Sequence, residues 1–325
     1  MEENIFQNRV DLTALNEQVK KIKAAIGTVI VGQETMIDLL ITAILADGHV
    51  LIEGVPGVAK TLTAKLLSKI ISVDFSRIQF TPDLMPSDIL GTSVYNLKTS
   101  EFEFKAGPIF SNIILIDEIN RAPAKTQAAL FEVMEERQVT VDGHTHKMKL
   151  PYVVLATQNP IEQEGTYRLP EAQLDRFLFK IAVGYPSQEE EIEILQRHHD
   201  RKGVQPIAGV SSVLTADQIQ AFRQFVQQVH IEQNLLVYIA QIIQETRNNP
   251  SLFLGASPRA SIAILMAAKS FAMINGRDFV SPEDIKFVAL PVLRHRILLS
   301  PEKEMEGITT DEVVKQIVDK IEVPR

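Results

Sequence analysis

The segment Gly54-Val55-Pro56-Gly57-Val58-Ala59-Lys60-Thr61 stands between the apolar run Val50-Leu51-Ile52 and a helix-forming stretch from Lys60 to Ile71. A chain that passes from a buried strand into a helix through two glycines is committed to a strand–loop–helix unit, and so to an α/β architecture. Successive backbone N–H groups in such a turn point inward at the start of the helix, where its positive partial charge gathers. Lys60 adds a cation and Thr61 a hydroxyl suited to Mg²⁺, so the segment reads as a cradle for a nucleoside triphosphate. The common form of this loop has glycine immediately before the lysine, and this chain has Ala59. The methyl group is expected to be tolerated because the backbone has already entered helical geometry there, with negative φ.

The rest of the first half supplies strand tips that could face the cradle. Ile113-Ile114-Leu115-Ile116 needs burial on both faces, which makes it a central strand, and Asp117-Glu118 emerges at its end. The pair invites a division of labour in which Asp117 orients the hydration shell of Mg²⁺ near Thr61 and Glu118 polarises the water that attacks the terminal phosphoryl group. On a straight strand the two side chains would point to opposite faces, unless the tip bends. A strand from Tyr152 to Thr157 leads to Asn159, whose amide could hold that water or a γ-phosphate oxygen. Strands near 76–80 and 177–183 complete a sheet. Phe102 and Phe104, before a turn at Gly107-Pro108, suggest an inserted hairpin, and Asp142-Gly143 marks a second one. Beyond the acidic run Glu189-Glu190-Glu191 the chain reads mainly as helices, at about 216–247, 258–274, 281–292 and 309–321, after a linker at 203–212.

Composition removes several alternatives. With no cysteine there is neither a thiolate nucleophile nor a Cys-based zinc site, and a reducing compartment is expected. No G-x-S-x-G turn is present, and His144, His146, His198 and His199 lack ligand spacing. The start Met1-Glu2-Glu3-Asn4 lacks a basic, apolar leader and no apolar stretch is long enough to span a bilayer, so a cytoplasmic protein is expected. A net charge of -8 gives no electrostatic reason for nucleic acid as the main partner. Ser257 and Pro258 fit a helix start, which puts Arg259 in a first turn where the helix dipole disfavours a cation; Arg259 therefore has reason to seek an external anion.

Taken together, GVPGVAKT at 54–61, IQFTPDLMPSDILG at 78–91, GPIF at 107–110, DEINRAPAKTQAALFEVMEERQVTVDG at 117–143 and ATQNPIEQEGTYRLPEAQLDRF at 156–177 resemble the MoxR family of AAA+ ATPases. The resemblance implies an α/β ATPase core over residues 1–190 with a parallel sheet in the order 5-1-4-3-2, a connecting helix at 191–203, and an all-helical lid over 204–325. It implies ATP and Mg²⁺, with Val31 and Gln33 lining the base and Gly54, Val55, Pro56, Gly57, Val58, Ala59, Lys60, Thr61 and Leu62 around the phosphates. Thr61 and Asp117 would serve the metal, and Glu118 and Asn159 would be the catalytic acidic and sensor residues. Arg176 would be a finger presented to a neighbour's ATP, and Arg259 a sensor on the lid. A homo-oligomeric ring, a hexamer, follows from the same resemblance, with a protein client containing a von Willebrand factor A domain. A DNA-associated subunit and a nucleotide-dependent scaffold without turnover remain the competing expectations.

Overall fold

The computed structural model describes residues 13–55, 57–160 and 167–324. Its centre is a five-stranded sheet of β1 (His49–Gly54), β2 (Phe75–Gln79), β3 (Ile113–Asp117), β4 (Val153–Gln158) and β5 (Phe177–Val183). The spatial order is β2-β3-β4-β1-β5 and every pairing is parallel. Read from the other edge this is 5-1-4-3-2, the order that the family resemblance implies.

Strand alternation explains why both faces are covered. Val50, Ile52, Ile113, Leu115, Val153 and Leu155 enter one core, shared with α1 (Thr13–Gly27), α2 (Glu34–Leu45) and α3 (Lys60–Ile71). Leu51, Ile114, Ile116, Val154 and Ala156 enter a second core on the opposite face, closed by Leu130, Phe131, Val133 and Met134 of α4 (Ala124–Glu136). Parallel pairing also has a functional consequence. All five C-terminal strand ends lie along one edge of the sheet and all five N-terminal ends along the other.

Two antiparallel hairpins project from the core. The first pairs Gly91–Asn96 with Glu101–Ala106, so its turn falls at residues 97–100, and Gly107-Pro108 closes the motif instead of forming the turn. Gly107 is needed there because a Cβ would lie 2.1 Å from the Ile89 carbonyl oxygen. The second pairs Gln138–Val141 with His144–Lys147 around Asp142 and Gly143, both at positive φ as a two-residue hairpin turn demands. The His146 ring stacks on Phe104 at 4.1 Å, tying the hairpins together.

After α5 (Gln188–Asp200) the chain crosses to a bundle of α6 (Ala216–Gln228), α7 (Gln233–Asn248), α8 (Pro258–Ile274), α9 (Pro282–Leu293) and α10 (Thr310–Lys320). The single helix expected over 216–247 is two helices. The break at Val229–Glu232 forms because His230 donates its N–H to Asp278 and accepts from Val280, a short bridge that competes with the helical pattern. Among the described residues no helix is long and apolar enough to cross a membrane.

Candidate nucleotide site

The cradle opens at the C-terminal end of β1. Gly54 packs so closely on β5 that a Cβ would fall 2.7 Å from the Val183 carbonyl oxygen, while Gly57 turns at φ 90 toward open space. Pro56 lies outside the described residues; Val55, Val58 and Leu62 flank the turn. Ala59 sits at φ 57, ψ 18, in the left-handed region, as the N-cap of α3. The expectation of a helical, negative φ is therefore overturned. The chain reverses its curvature at this residue before the helix starts, and the Ala59 carbonyl then accepts both the Thr63 N–H at 2.9 Å and the Thr63 hydroxyl at 3.0 Å. Holding alanine there costs about 1–2 kcal/mol.

Lys60 and Thr61 form the first turn of α3. Lys60 Nζ donates to the Gly54 carbonyl at 2.6 Å, folding the ammonium back across the loop. Burial lowers its pKa, and the nearby charges of Asp117, Glu118 and Glu53 oppose that shift. The connector before α2 also meets the cradle. Val31 is buried, and Gln33, at φ 57, donates from Nε2 to the Val58 carbonyl at 3.4 Å. Ile30, Val31 and Gly32 line a cavity of about 380 Å³ beside it.

The tips of β3 and β4 complete this edge. The Thr157 hydroxyl donates to Asp117 Oδ1 at 3.1 Å and accepts the Glu118 N–H at 3.1 Å, so one side chain fixes both acidic residues. Arg77 Nε holds the other Asp117 oxygen at 2.6 Å. Glu118 bends the strand end at φ 58, which removes the straight-strand constraint on where the two carboxylates point. Its Oε2 accepts from Gln79 at 2.8 Å and from Arg121 at 2.9 Å. Buried Asn159 follows Gln158, which pairs with Glu53, and thus stands beside the start of the cradle. Gln79, Arg77, Arg121 and Thr157 were not singled out in the sequence. Gln79 and Thr157 carry a usable signal, as polar residues at or next to the C-terminal end of a strand; Arg77 in mid-strand and Arg121 in the turn after β3 carry none.

The two arginines lie elsewhere. Arg176 immediately precedes β5, whose first residue pairs with His49, whereas the cradle begins at Gly54. The length of β1, roughly 17 Å at about 3.3 Å per residue, separates them and exceeds the reach of an arginine side chain. Arg176 donates to Glu135 Oε2 at 2.7 Å and to the Phe131 carbonyl at 2.9 Å. Arg259 donates to the other Glu135 oxygen at 3.1 Å. One carboxylate on α4 thus gathers a core and a lid arginine, and the structure places Arg259 with Arg176 instead of at its own chain's cradle.

Asp175 explains how the lid reaches this place. Its carboxylate accepts from Arg296 Nε at 2.6 Å and from the Ser257 hydroxyl at 3.1 Å. Arg296 also donates to the Phe177 carbonyl at 2.6 Å and the Leu178 carbonyl at 3.1 Å. A buried guanidinium with this many acceptors is a firm joint. It seats the start of α8, and Arg259 with it, next to Arg176.

The residues present suit a nucleotide with its metal. Gln33 Oε1 is buried without a hydrogen-bond partner among the described residues, which leaves an acceptor for an amino group such as that of adenine. A threonine hydroxyl and a carboxylate are the hard oxygen donors that Mg²⁺ takes alongside water and phosphate. A phosphate loop on a 5-1-4-3-2 sheet, with acidic and amide residues on adjoining strand tips and a helical lid, defines an ATPase of the AAA+ class.

Comparison with known proteins narrows the class. Residues 49–179 match the ATPase family associated with various cellular activities (AAA), and residues 244–317 match the AAA lid domain. The chain is 49% identical over 299 residues to YeaC of Bacillus subtilis, covering 92% of each protein. It is 44% identical over 306 residues to the chaperone MoxR1 of Mycobacterium tuberculosis, covering 91% of this chain and 80% of that one. A crystal structure of a protein from Cytophaga hutchinsonii, designated an ATPase, superposes with a TM-score of 0.89 at 44% identity, covering 96% of this chain and 97% of the other. The protein belongs to the MoxR family of AAA+ ATPases.

Proposed function

We propose that this chain is a Mg²⁺-dependent ATP hydrolase that works as a homo-oligomeric ring, a hexamer, and uses turnover to remodel or mature a protein client. The observation that carries this reading is the division of the site across the sheet: cradle, Asp117, Glu118 and Asn159 along one edge, Arg176 and Arg259 at the other. Phosphoryl transfer needs positioned cations around the transferring group as well as a cradle. Because the arginines cannot reach the cradle of their own chain, the site becomes complete only when a second copy brings its arginine edge to the first copy's phosphates. That requirement gives a head-to-tail contact, and head-to-tail contacts that close make rings.

Within one junction each side chain has a separate task. The backbone N–H groups of Gly57 to Thr61 and the Lys60 ammonium bind the β- and γ-phosphates. Thr61 and Asp117 would hold Mg²⁺, which neutralises phosphate charge when bound. Glu118 orients the attacking water and accepts its proton, and Asn159 holds the water or a γ-oxygen in line. The neighbour's Arg176 and Arg259 exchange their shared Glu135 for the charge that develops on the transferring phosphoryl group. Gln79 and Arg121 hold Glu118 through one oxygen, leaving Oε1, which has no partner among the described residues, for the water.

The chaperone name of the MoxR1 relative supports a protein client, and the family resemblance points to a protein with a von Willebrand factor A domain. The hairpins offer a working surface, with Leu97 85% and Phe102 73% exposed at the first. The test is phosphate release together with oligomer mass under ATP and ADP. Release that needs Mg²⁺ and rises as chains assemble supports the reading. ATP binding and assembly without release would establish the scaffold alternative, and polynucleotide-stimulated, salt-sensitive release would establish the DNA-associated one.

A further inference from the structure

Two apolar surfaces have no partner among the described residues, and each adjoins one half of the divided site. The first is the outer side of α5. None of its residues is buried; Ile192 is 57% and Leu195 65% exposed, three residues apart on one helical face. Tyr185, 77% exposed, stands just ahead of the helix, two residues after the Val183 that pairs with Gly54. The other side of α5 is tied to the connector region: Arg197 donates to the Gly27 carbonyl at 2.5 Å, Arg201 to the Thr28 carbonyl at 3.2 Å, and Glu190 packs on Gly32. The exposed stripe therefore borders the cradle edge.

The second surface is on the lid. Ile262, 62% exposed, lies one turn beyond Arg259 on the same face of α8, and Phe253, 76% exposed, is on the segment that leads into that helix. This surface borders the arginine edge. An amphipathic helix that buries nothing, and a phenylalanine left in solvent a few residues ahead of the helix that carries Arg259, are exposures that mark a contact surface.

Resting on the proposed ring, we infer that these surfaces are the two halves of one heterologous junction: the Ile192–Leu195 stripe of one copy seats on the Phe253–Ile262 surface of the next. Three observations select a second copy as the occupant. The site is incomplete without another chain's Arg176 and Arg259, so the edge bearing Ile262 must approach the edge bearing α5. The charges complement each other, with exposed Glu189 and Glu191 around the stripe and exposed Arg247 beside the lid surface. A stable contact buries about 800 Å² per partner, more than either apolar patch provides, and the adjoining cradle and arginine edges supply the remainder. Carried by α5 and by the Asp175–Arg296 joint, this contact would report nucleotide state to the neighbour's lid.

The full-length chain tests this by complementation. Ile192→Glu/Leu195→Glu spoils only the first surface and Phe253→Glu/Ile262→Glu only the second. All four residues are exposed, and unchanged thermal melts verify that both variants fold. With ATP and Mg²⁺, each variant alone is expected to run as a monomer in light scattering. Their equimolar mixture is expected to run as a two-chain species with restored phosphate release, because a single intact junction can form and the ring cannot close. The absence of cysteine permits a second measurement: Leu195→Cys/Ile262→Cys should give a ladder of multimers with a short bismaleimide, and neither single cysteine should. Wild-type-like assembly of the glutamate variants, two monomers that fail to complement, or cross-linking by one cysteine alone would overturn the junction while leaving the ring intact. A wild-type chain that stays monomeric with ATP would remove the ring reading itself, a different signature.

Discussion

The cradle edge and the arginine edge of this molecule, which the proposed reaction brings together across a junction, are built in different ways. The cradle edge is made of strand tips. Hydrogen-bonded registers between β1, β3 and β4 set the spacing of Gly54, Asp117 and Asn159, so the sheet itself fixes them. The arginine edge is assembled by side chains from distant segments: Glu135 on α4 gathers Arg176 and Arg259, and Asp175 clamps the lid through Arg296 and Ser257. A rigid edge suits binding and water alignment. The ion pairs on half-exposed Glu135 are exchangeable and suit, in the proposed ring, a surface that trades one anion for another, while the buried Asp175–Arg296 joint keeps the lid seated.

That contrast predicts its largest effect at Arg176. Arg176→Ala should slow phosphate release by roughly 10³–10⁵ where chemistry limits turnover, with ATP binding by the isolated chain unchanged. Mixed with Glu118→Gln chains, it should regain part of its release, since each Glu118→Gln neighbour brings a wild-type Arg176 to an intact Glu118. Equal loss of ATP binding by monomeric Arg176→Ala would place the arginine at its own cradle and collapse the distinction between the edges. Glu118→Gln, on the other edge, should lower release by about 10²–10⁴ while ATP binding and ring mass persist. Release that survives this change would assign the proton acceptor to another group.

The two edges were also unequally legible. Gly54 to Thr61, Asp117-Glu118 and Asn159 stand out because each combines an apolar strand with a polar tip within a few residues, a local signal that periodicity reveals. The sheet order could be stated only through the family resemblance, and the register then placed the tips together. Glu135 could not be read: it sits in the run Glu132, Glu135, Glu136 on a helix where every acidic residue looks like solvated surface. Asp175 and Arg296 are 121 residues apart, and nothing local tells a structural aspartate in Leu-Asp-Arg-Phe from a functional one. Arg259 was found as a cation at an unfavourable helix end, but its address depended on those unseen contacts.

Acid should separate the edges by a smaller margin. His49 begins β1 on the arginine side, with Nδ1 accepting the Val154 N–H at 3.0 Å and Nε2 facing the Met134 carbonyl at 3.1 Å, one residue before Glu135. Burial lowers its pKa from 6.5 to about 4, so between those values the unfolded chain binds the proton and the folded chain does not. Its contribution to stability is thus complete above pH 6.5 and is lost as pH falls toward 4. Buried His295 acts with the same sign. Moving from pH 7.5 to 5 should cost about 2 kcal/mol for the His49 contribution, at 1.36 kcal/mol per unit. Urea unfolding of wild type and His49→Gln would show it as a pH slope that the variant loses; parallel slopes would mean that His49 carries no such linkage.

The smallest effect has a sign that decides between two backbones. Had Ala59 begun α3 with helical φ, Ala59→Gly would destabilise the protein by about 0.5–1 kcal/mol, because glycine gives up more chain entropy on folding. At the observed φ of 57 the same entropy cost is set against relief of about 1–2 kcal/mol of left-handed strain, and the relief outweighs the cost. Ala59→Gly should therefore raise stability by about 0.5–1 kcal/mol in denaturant unfolding. A loop freed of that strain also has less reason to keep one curvature before a ligand arrives, so the variant should bind ATP no more tightly despite its greater stability. A loss of stability would mean that alanine already occupies an unstrained backbone at this position.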